Sequence, residues 1–480
     1  MSIFKDGLIR QGAASAAAGG SVYSIDQSIR FDDDTNNYLS KTPSAGADGG
    51  KKYTYSFWIK RNTLAKAEYI IHAGAGYSGG NNADYIYFDS SDYFRSWHGT
   101  NTLVGTRKLR DIAAWYHIVY AYDSTQSIAS DRIKLYINGE RELNFSTASY
   151  PSLNATGYFN TNVAHYIGGA SNANSRLTSY LADIHFIDGN AYGPEYFGEF
   201  KEDTDIWIPI EYTESYGTNG FKIDGRDSSD LGDDESGNGN DYASTNFSAD
   251  DQVLDTPTNN FSVLNPLANY YVQHTYGNGN LEETTSTSSS YYSYSINTIA
   301  MSSGKWYVEV LFSGSATAQM LVGISDRESY AGTHYLGSQS YEYSYYNYNG
   351  KSINGGTQSN YGNTFTQNDI IGIALDLDNS KLYFSKNGTF QNSGVPTSGS
   401  TGTGAISITA VGSTQNDFYF FGAGDYSSSY ATTYIWNFGQ EGTFSGNVSA
   451  GGNSDANGIG NFKYAVPSGY LSLCTKNLGS

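Results

Sequence analysis

Apolar and polar residues alternate with a period of two along much of this chain, the spacing of strands whose successive side chains face opposite sides of a sheet. In Gly304-Lys-Trp-Tyr-Val-Glu-Val-Leu311, Trp306, Val308 and Val310 alternate with Tyr307, Glu309 and Leu311. Further on, Ile371, Ile373 and Leu375 share a face. An Asp-Asn-Ser turn at 378–380 then reverses the chain into Leu382-Tyr383-Phe384, and Lys386-Asn387-Gly388 reverses it again. Earlier, Tyr53-Thr-Tyr-Ser-Phe-Trp-Ile-Lys60 puts Tyr53, Tyr55 and Phe57 on one face and Trp58 on the other; Trp115–Tyr122 is another such strand. Arg132–Ile137 runs into Asn138-Gly139, the strongest short hairpin signal. His165–Gly168 and Leu181–Asp188 supply later strands.

Composition agrees. Gly (55) and Tyr (44) are abundant while Pro (8) and Met (3) are scarce, so turn formers and residues suited to pleated surfaces dominate. Charged residues are only 15% of the chain, against about 25% in an ordinary soluble domain, so hydroxyls and amides carry the surface. The fold class predicted is all-β, with little helix. A length of 480 residues allows about three domains at ~150 residues each. The formal net charge of −20 argues against nucleic acid, because no basic stripe is present to neutralise phosphates. The lone Cys474 excludes an internal disulfide framework. No apolar run marks a secretory signal or approaches the ~18 residues of a membrane span, so no membrane insertion is expected.

The chain divides into five parts. Residues 1–20 form a short N-terminal anchor or arm whose sizeable apolar groups are Ile3, Phe4, Leu8 and Ile9. Residues 21–205 are a first β-sandwich, and 206–264 an acidic Gly/Asn-rich connector. Residues 265–440 are a second sandwich and 441–480 a docking tail.

The first sandwich, with "SFWIKR" (56–61), "WYHIVYAYD" (115–123), "DRIKLYING" (131–139), "HYIGG" (165–169) and "LADIHFIDG" (181–189), resembles the laminin-G-like branch of the concanavalin-like lectin/glucanase superfamily. The 304–311 and 369–388 segments resemble a SPRY domain, a concanavalin-like sandwich used for binding. The resemblances imply two concanavalin-like jelly-roll domains in tandem. The order of "GTNGF" (217–221), "SGNGND" (236–241), "DTPTNNF" (255–261), "NFGQ" (437–440) and "VPSGYLSLCTKNL" (466–478) resembles structural proteins of tailed bacteriophages, especially marine ones.

Concanavalin-like folds also host glycoside hydrolases, which need paired carboxyl groups about 5–5.5 Å apart when retaining. No Glu-x-Asp-x-Glu run is present; the nearest approach, Asp376-Leu-Asp378, enters a turn. No nucleophile elbow, zinc-binding helix or phosphate loop occurs either. His72, His117, His165 and His185 fall in or beside apolar strands, as core or sheet-face histidines do. The chain is expected not to be an enzyme.

Two clusters are candidates for binding. Asp227, Asp230, Asp233, Asp234 and Asp241, with Asn238 and Asn240, offer hard oxygen ligands suited to Ca²⁺, the candidate cofactor; the alternative is a solvated loop whose Asp and Asn residues form turns. Tyr341, Tyr343 and Tyr345 alternate, with Tyr346 and Tyr348 following, and Trp97 stands beside Tyr93 and Phe94. Such rings offer rigid amphipathic contact area for a sugar or protein, or else they are sheet-face packing.

With the phage resemblance, these features lead to the expectation of a non-enzymatic virion protein, a tail fibre or appendage adhesin binding host-surface glycan or protein. The alternative is a decoration or stabilising protein that holds neighbouring capsid or tail subunits without touching a receptor. Expected partners are other virion proteins, met through residues 1–20, and copies of the chain itself, with a trimer by analogy to fibres. The expected location is the extracellular particle, made in host cytoplasm.

Overall fold

The computed structural model describes residues 23–32, 36–46, 48–75, 82–170, 176–268, 274–285, 292, 294–314, 319–327, 334–426 and 431–479. Ile3, Phe4, Leu8 and Ile9 lie outside the described residues. Two compact units form: Tyr23–Thr258 with Thr275–Glu283, and Asn259–His274 with Thr284–Ser480. The fold is nearly all β, and helices among the described residues are short 3₁₀ turns.

In the first unit, the strands run β1 (Ser28–Arg30), β2 (Tyr38–Lys41), β3 (Lys52–Arg61), β4 (Glu68–Gly74), β5 (Ala83–Phe88), β6 (Tyr93–His98), β7 (Asn101–Lys108), β8 (Trp115–Asp123), β9 (Ile133–Ile137), β10 (Glu140–Arg141), β11 (Phe145–Ala148), β12 (His165–Ile167) and β13 (Ser179–Asp188). They continue as β14 (Gly198–Phe200), β15 (Trp207–Pro209), β16 (Phe221–Ile223), β17 (Ala243–Thr245) and β18 (Gln252–Val253). Two antiparallel sheets form, in the orders β10-β9-β8-β3-β13-β1-β18 (with β16 beside β13) and β11-β7-β6-β5-β4-β12-β2-β17. Their facing sides share one core, which takes Tyr53, Tyr55, Phe57 and Ile59 from β3, Ile86 and Phe88 from β5, and Tyr120 and Tyr122 from β8. The even positions of β3 face away, and Trp58 joins Trp115 and Tyr180 on the other side. The Asn138-Gly139 turn has φ of 49° and 81° at its two residues, as a type I′ hairpin requires.

Residues 206–264 are not a connector. β15 pairs with β14, β16 with β13, β17 with β2 and β18 with β1, so the stretch completes both sheets of the first unit up to residue 258. Among its apolar residues Tyr212, Phe221, Ile223, Leu231, Tyr242 and Val253 are buried, while Ile206 stays exposed. An edge element needs only that many anchors, which is why the segment reads as polar. Residues 259–264 belong to the second unit and bury Phe261, Val263 and Leu264.

In the second unit, one sheet runs Tyr294–Ile296, Phe420–Asp425, Met320–Ser325, Glu342–Tyr346, Lys351–Asn354, Thr357–Asn360. The other includes Thr433–Asn437, Lys305–Phe312, Ile370–Asp376, Lys381–Lys386 and Thr389–Phe390 in that order. Both faces of Lys305–Phe312 are buried. The reason is the chain's end. Leu471 N–H donates to the Lys305 carbonyl and Tyr307 N–H to that of Leu471, each at 2.9 Å, while Phe462 and Tyr470 cover Tyr307, Ala374 and Tyr383. The buried Glu309 fixes this cover by accepting the backbone N–H groups of Lys463 and Tyr464, both at 2.8 Å.

Candidate functional site

The outer face of the first unit's second sheet carries a row of rings set by strand register. Trp97 on β6 pairs with Tyr85 on β5, Tyr85 with His72 on β4, and His72 with Tyr166 on β12. A register shift between Tyr69 and Ile71 brings both Tyr69 and His72 to this face. Directly paired side chains in an antiparallel sheet lie ~4.5–5.5 Å apart at Cβ, so the rings touch. Trp97 and Tyr85 stack at 5.9 Å with their planes 2° apart, and Tyr85 and His72 at 6.1 Å and 16°. Tyr166 lies 5.8 Å from His72 and 5.9 Å from Tyr38 of β2. Tyr87 and Tyr69 add a neighbouring pair, stacked at 5.4 Å.

Exposure is uneven along this ladder. His72 and Tyr85 are buried, whereas Trp97, Tyr87, Tyr166 and Tyr38 are half-buried. The indole N–H of Trp97 is itself buried and meets no hydrogen-bond acceptor among the described residues. A buried donor without a partner costs about 1–3 kcal/mol, so its position calls for an explanation.

A second aromatic cluster lies in the second unit. Tyr426 has its ring centroid 4.7 Å from Tyr335 and 4.7 Å from Tyr346, and Tyr292 lies 5.8 Å from Tyr335. Tyr348, 67% exposed, is 6.0 Å from Tyr346. Tyr346 donates its hydroxyl proton to Gln319 Oε1 at 2.6 Å.

These two groupings redistribute the residues picked out from the sequence. Tyr343 and Tyr345 do share one face of a strand, but that face is the core. The Tyr345 ring packs against Phe365 at 4.8 Å and Phe384 at 5.4 Å, and its hydroxyl donates to the Asn363 carbonyl. Burial, followed by the neighbouring Tyr361 and Asp369, pushes its phenol pKa up. Tyr343 is buried beside Tyr419, sharing a 3.1 Å hydrogen bond with the Thr409 hydroxyl. Neither ring presents a face to a ligand, because the strand is covered on both sides. Tyr341 is a half-buried turn residue with φ of 66°. Tyr346 is buried at the base of the cluster, and Tyr348 alone of the five stands free of the fold.

The acidic loop spends its carboxylates on turns. Asp227 Oδ1 accepts the Ser229 N–H, Asp230 Oδ1 the Gly232 N–H, and Asp241 Oδ1 the Asp234 N–H. Asp234 accepts from Lys222, Ser236 and Asn240. Asp233 is held above the usual carboxylate range by partial burial, then by the charges of Asp241, Asp230 and Asp227. Among the described residues no group of three or more His, Cys, Asp or Glu is arranged to hold a metal ion, and the five aspartates are engaged in loop turns.

The four strand histidines are all buried. Burial drives His117 down to about 3 and His165 to about 4, so both stay neutral. Trp207 N–H donates to His117 Nδ1 at 3.0 Å, leaving Nε2 to face the Ser56 hydroxyl at 2.8 Å. Asp376 accepts the Asn379 N–H at 3.0 Å and pairs with Lys305 at 3.2 Å, and Asp378 accepts the Gly304 N–H. These carboxylates close turns.

Both units are packed β-sandwiches, and family models recognise each kind. Residues 33–191 match the concanavalin A-like lectin/glucanases superfamily (laminin G type), and residues 305–421 match the SPRY domain, so one domain of each kind is present. Such lectin-like and SPRY domains are typically non-catalytic. No curated protein matches the chain. Among solved structures, the SPRY domain of human HERC1 is 19% identical, with a TM-score of 0.28 over 36% of this chain and 96% of that one. A provisionally named carbohydrate binding protein from Bacteroides ovatus ATCC 8483 is 16% identical, with a TM-score of 0.32 over 46% of this chain and 59% of that one. A human SPRY domain is 17% identical, with a TM-score of 0.23 over 32% and 91%.

Proposed function

We propose that this chain is a non-catalytic adhesin of a tailed-phage particle, and that its ladder of rings holds a glycan of the host surface. The observation that carries the glycan reading is the ladder's open end, where half-buried Trp97 leaves part of its aromatic ring uncovered. A sugar supplies C–H groups to lie against the ring, and a hydroxyl oxygen to accept the indole N–H, closed to solvent in the free protein, once the ring turns toward it. The Tyr335-Tyr346-Tyr348-Tyr426 cluster gives the SPRY domain a contact face of similar make. Support for the particle itself comes from the phage-like segments between 217 and 478. On a virion, repeated copies raise avidity by roughly 10²–10⁴ where geometry allows simultaneous engagement. Residues 1–20 are the proposed attachment to other virion proteins.

The experiment is a glycan array probed with the full chain, paired with cell adsorption of particles in competition with it. Wild type should bind a saccharide set and block adsorption, and Trp97→Ala should weaken glycan binding at least roughly tenfold, the loss of a stacking contact plus a hydrogen bond. An array without signal, together with adsorption untouched by excess protein, rules out the adhesin.

A further inference from the structure

We propose that Lys60 and Asp255 join through an isopeptide bond, a side-chain amide that pins the end of the first unit to its central strand. Lys60 stands on the outer face of β3, paired directly with Trp115 on β8 and Tyr180 on β13. Its Nζ lies 2.7 Å from Asp255 Oδ2, and both side chains are closed to solvent. Trp58, Trp115, Tyr180, Ala182 and Val253 pack together on the same face. Asp255 is held at two points. The Trp115 indole N–H donates to its Oδ1 at 3.1 Å, and the Ser28 hydroxyl donates to its backbone carbonyl at 2.6 Å. The bond would link positions 195 residues apart and clasp the chain just beyond β18, a two-residue edge strand that would otherwise peel first under load.

Other lysines pair with carboxylates where water reaches them. Lys222, Lys305, Lys386 and Lys201 do so with 16%, 27%, 26% and 45% of their side chains exposed. Among the described lysines Lys60 alone is buried. Two ions taken out of water recover their desolvation cost poorly. Passing one proton across the 2.7 Å hydrogen bond gives a neutral amine and a neutral acid, the two groups that amide formation needs. Burial acts in that direction on the ammonium, lowering its pKa against the opposing pull of Asp255. The Nζ lone pair then adds to Cγ of Asp255, and the indole N–H faces Oδ1, where negative charge develops. The Cγ–Oδ2 bond breaks. Oδ2 keeps the acid proton, takes one more from the nitrogen, and leaves as water. One N–C bond replaces one C–O bond, with no oxidant, reductant or further reactant. Fixed contact gives the pair a high effective concentration, and the dry surroundings keep water from reversing the step.

The test is the intact mass of the denatured full chain, followed by peptide mapping with tandem mass spectrometry. Wild type should be one water lighter than its amino acids require. Trypsin should fail to cut after Lys60, and one branched peptide should carry both Lys60 and Asp255. Lys60→Met and Asp255→Ala should each restore the full mass; the wild-type mass decides the matter even where both variants misfold. Pulled from its two ends, the wild-type chain should lack the roughly 640–700 Å that 195 residues contribute at full extension. Trp115→Phe keeps a ring and deletes the donor, so freshly made chains of this variant should be partly unlinked. Complete linkage in it overturns the role given to the indole. Full mass in wild type, both fresh and after long incubation in the folded state, overturns the bond itself. A lost water mapped to other residues, such as a cyclised Asp224-Gly225, overturns it equally. The bond is independent of the glycan reading, which the array and the adsorption assay decide.

Discussion

The two aromatic faces are built differently. The ladder of the first unit runs across the middle of a sheet, and its rings are placed by hydrogen-bonded register on β6, β5, β4 and β12. The tyrosine cluster of the second unit draws on strand ends and turns: Tyr426 follows the Phe420–Asp425 strand, and Tyr346 and Tyr348 close the Glu342–Tyr346 strand. Rings in mid-sheet cannot shift without breaking the ladder of backbone bonds, so they give a fixed spacing. Rings at strand ends can adapt with their loops. A fixed spacing suits a repeating ligand such as a polysaccharide, and an adaptable cluster suits varied surfaces. Four substitutions test this contrast.

The largest effect should come from within one short stretch of the second unit. Tyr345→Ala empties a fully buried site between Phe365 and Phe384, and such truncations cost about 3–5 kcal/mol. Tyr348→Ala, at a ring that is 67% exposed, should change stability by less than about 0.5 kcal/mol. Chemical denaturation of the two variants checks this. Equal losses would show that Tyr348 is packed as tightly as its neighbour and would remove it from the proposed contact face.

The next effect depends on pH. Glu342 is buried; it accepts the Tyr294 hydroxyl at 2.9 Å and the backbone N–H groups of Gly337 and Gln339, tying the segment that carries Tyr335 to the sheet. Burial dominates these bonds and lifts its pKa from 4.5 to about 7. The folded state therefore binds more protons than the unfolded state between those values, and stability falls as pH rises through that window. The shift corresponds to about 3 kcal/mol in favour of the acid side. Melting between pH 5 and 8 should show the second unit more stable at pH 5, and Glu342→Gln should remove about half of that slope, the rest belonging to Glu309, whose pKa burial also lifts to about 7. A slope unchanged in the variant would assign the dependence to Glu309 and the chain's overall negative charge.

Much of the fold was legible because local chemistry sets it. The Asn138-Gly139 and Asn387-Gly388 turns, with φ of 49° and 81° and of 47° and 79°, sit where the sequence places them. Tyr53, Tyr55 and Phe57 do point inward together. The sites were harder to read. A period of two shows that Tyr343 and Tyr345 share a face, but Glu342, Ser344 and Tyr346 are buried as well, so the pattern does not say which side a ligand meets. The ladder joins His72, Tyr85, Trp97 and Tyr166, whose adjacency depends on long-range pairing and on one register shift in β4. Trp97 stood out because it stands beside Tyr93 and Phe94.

A small expected change in stability also marks the sharpest probe of the ladder. Trp97→Phe keeps a ring against Tyr85 and deletes the indole N–H that has no acceptor. Removing a buried unpaired donor regains about 1–3 kcal/mol, while the smaller ring gives up a comparable amount of buried area and stacking. The two terms oppose each other, so Tm should move by only a few degrees. Saccharide affinity behaves differently, because the complex is where a turn of the indole would bring its N–H, closed to solvent in the free protein, to an acceptor. Losing that hydrogen bond should weaken binding by about 0.5–1.5 kcal/mol, roughly two- to twelvefold, with the stacking contact still in place. Titration of Trp97→Phe beside Trp97→Ala separates the contributions of ring and donor. Undiminished affinity in Trp97→Phe would show that the donor is idle in the complex and would leave stacking as the ladder's sole contribution at that end.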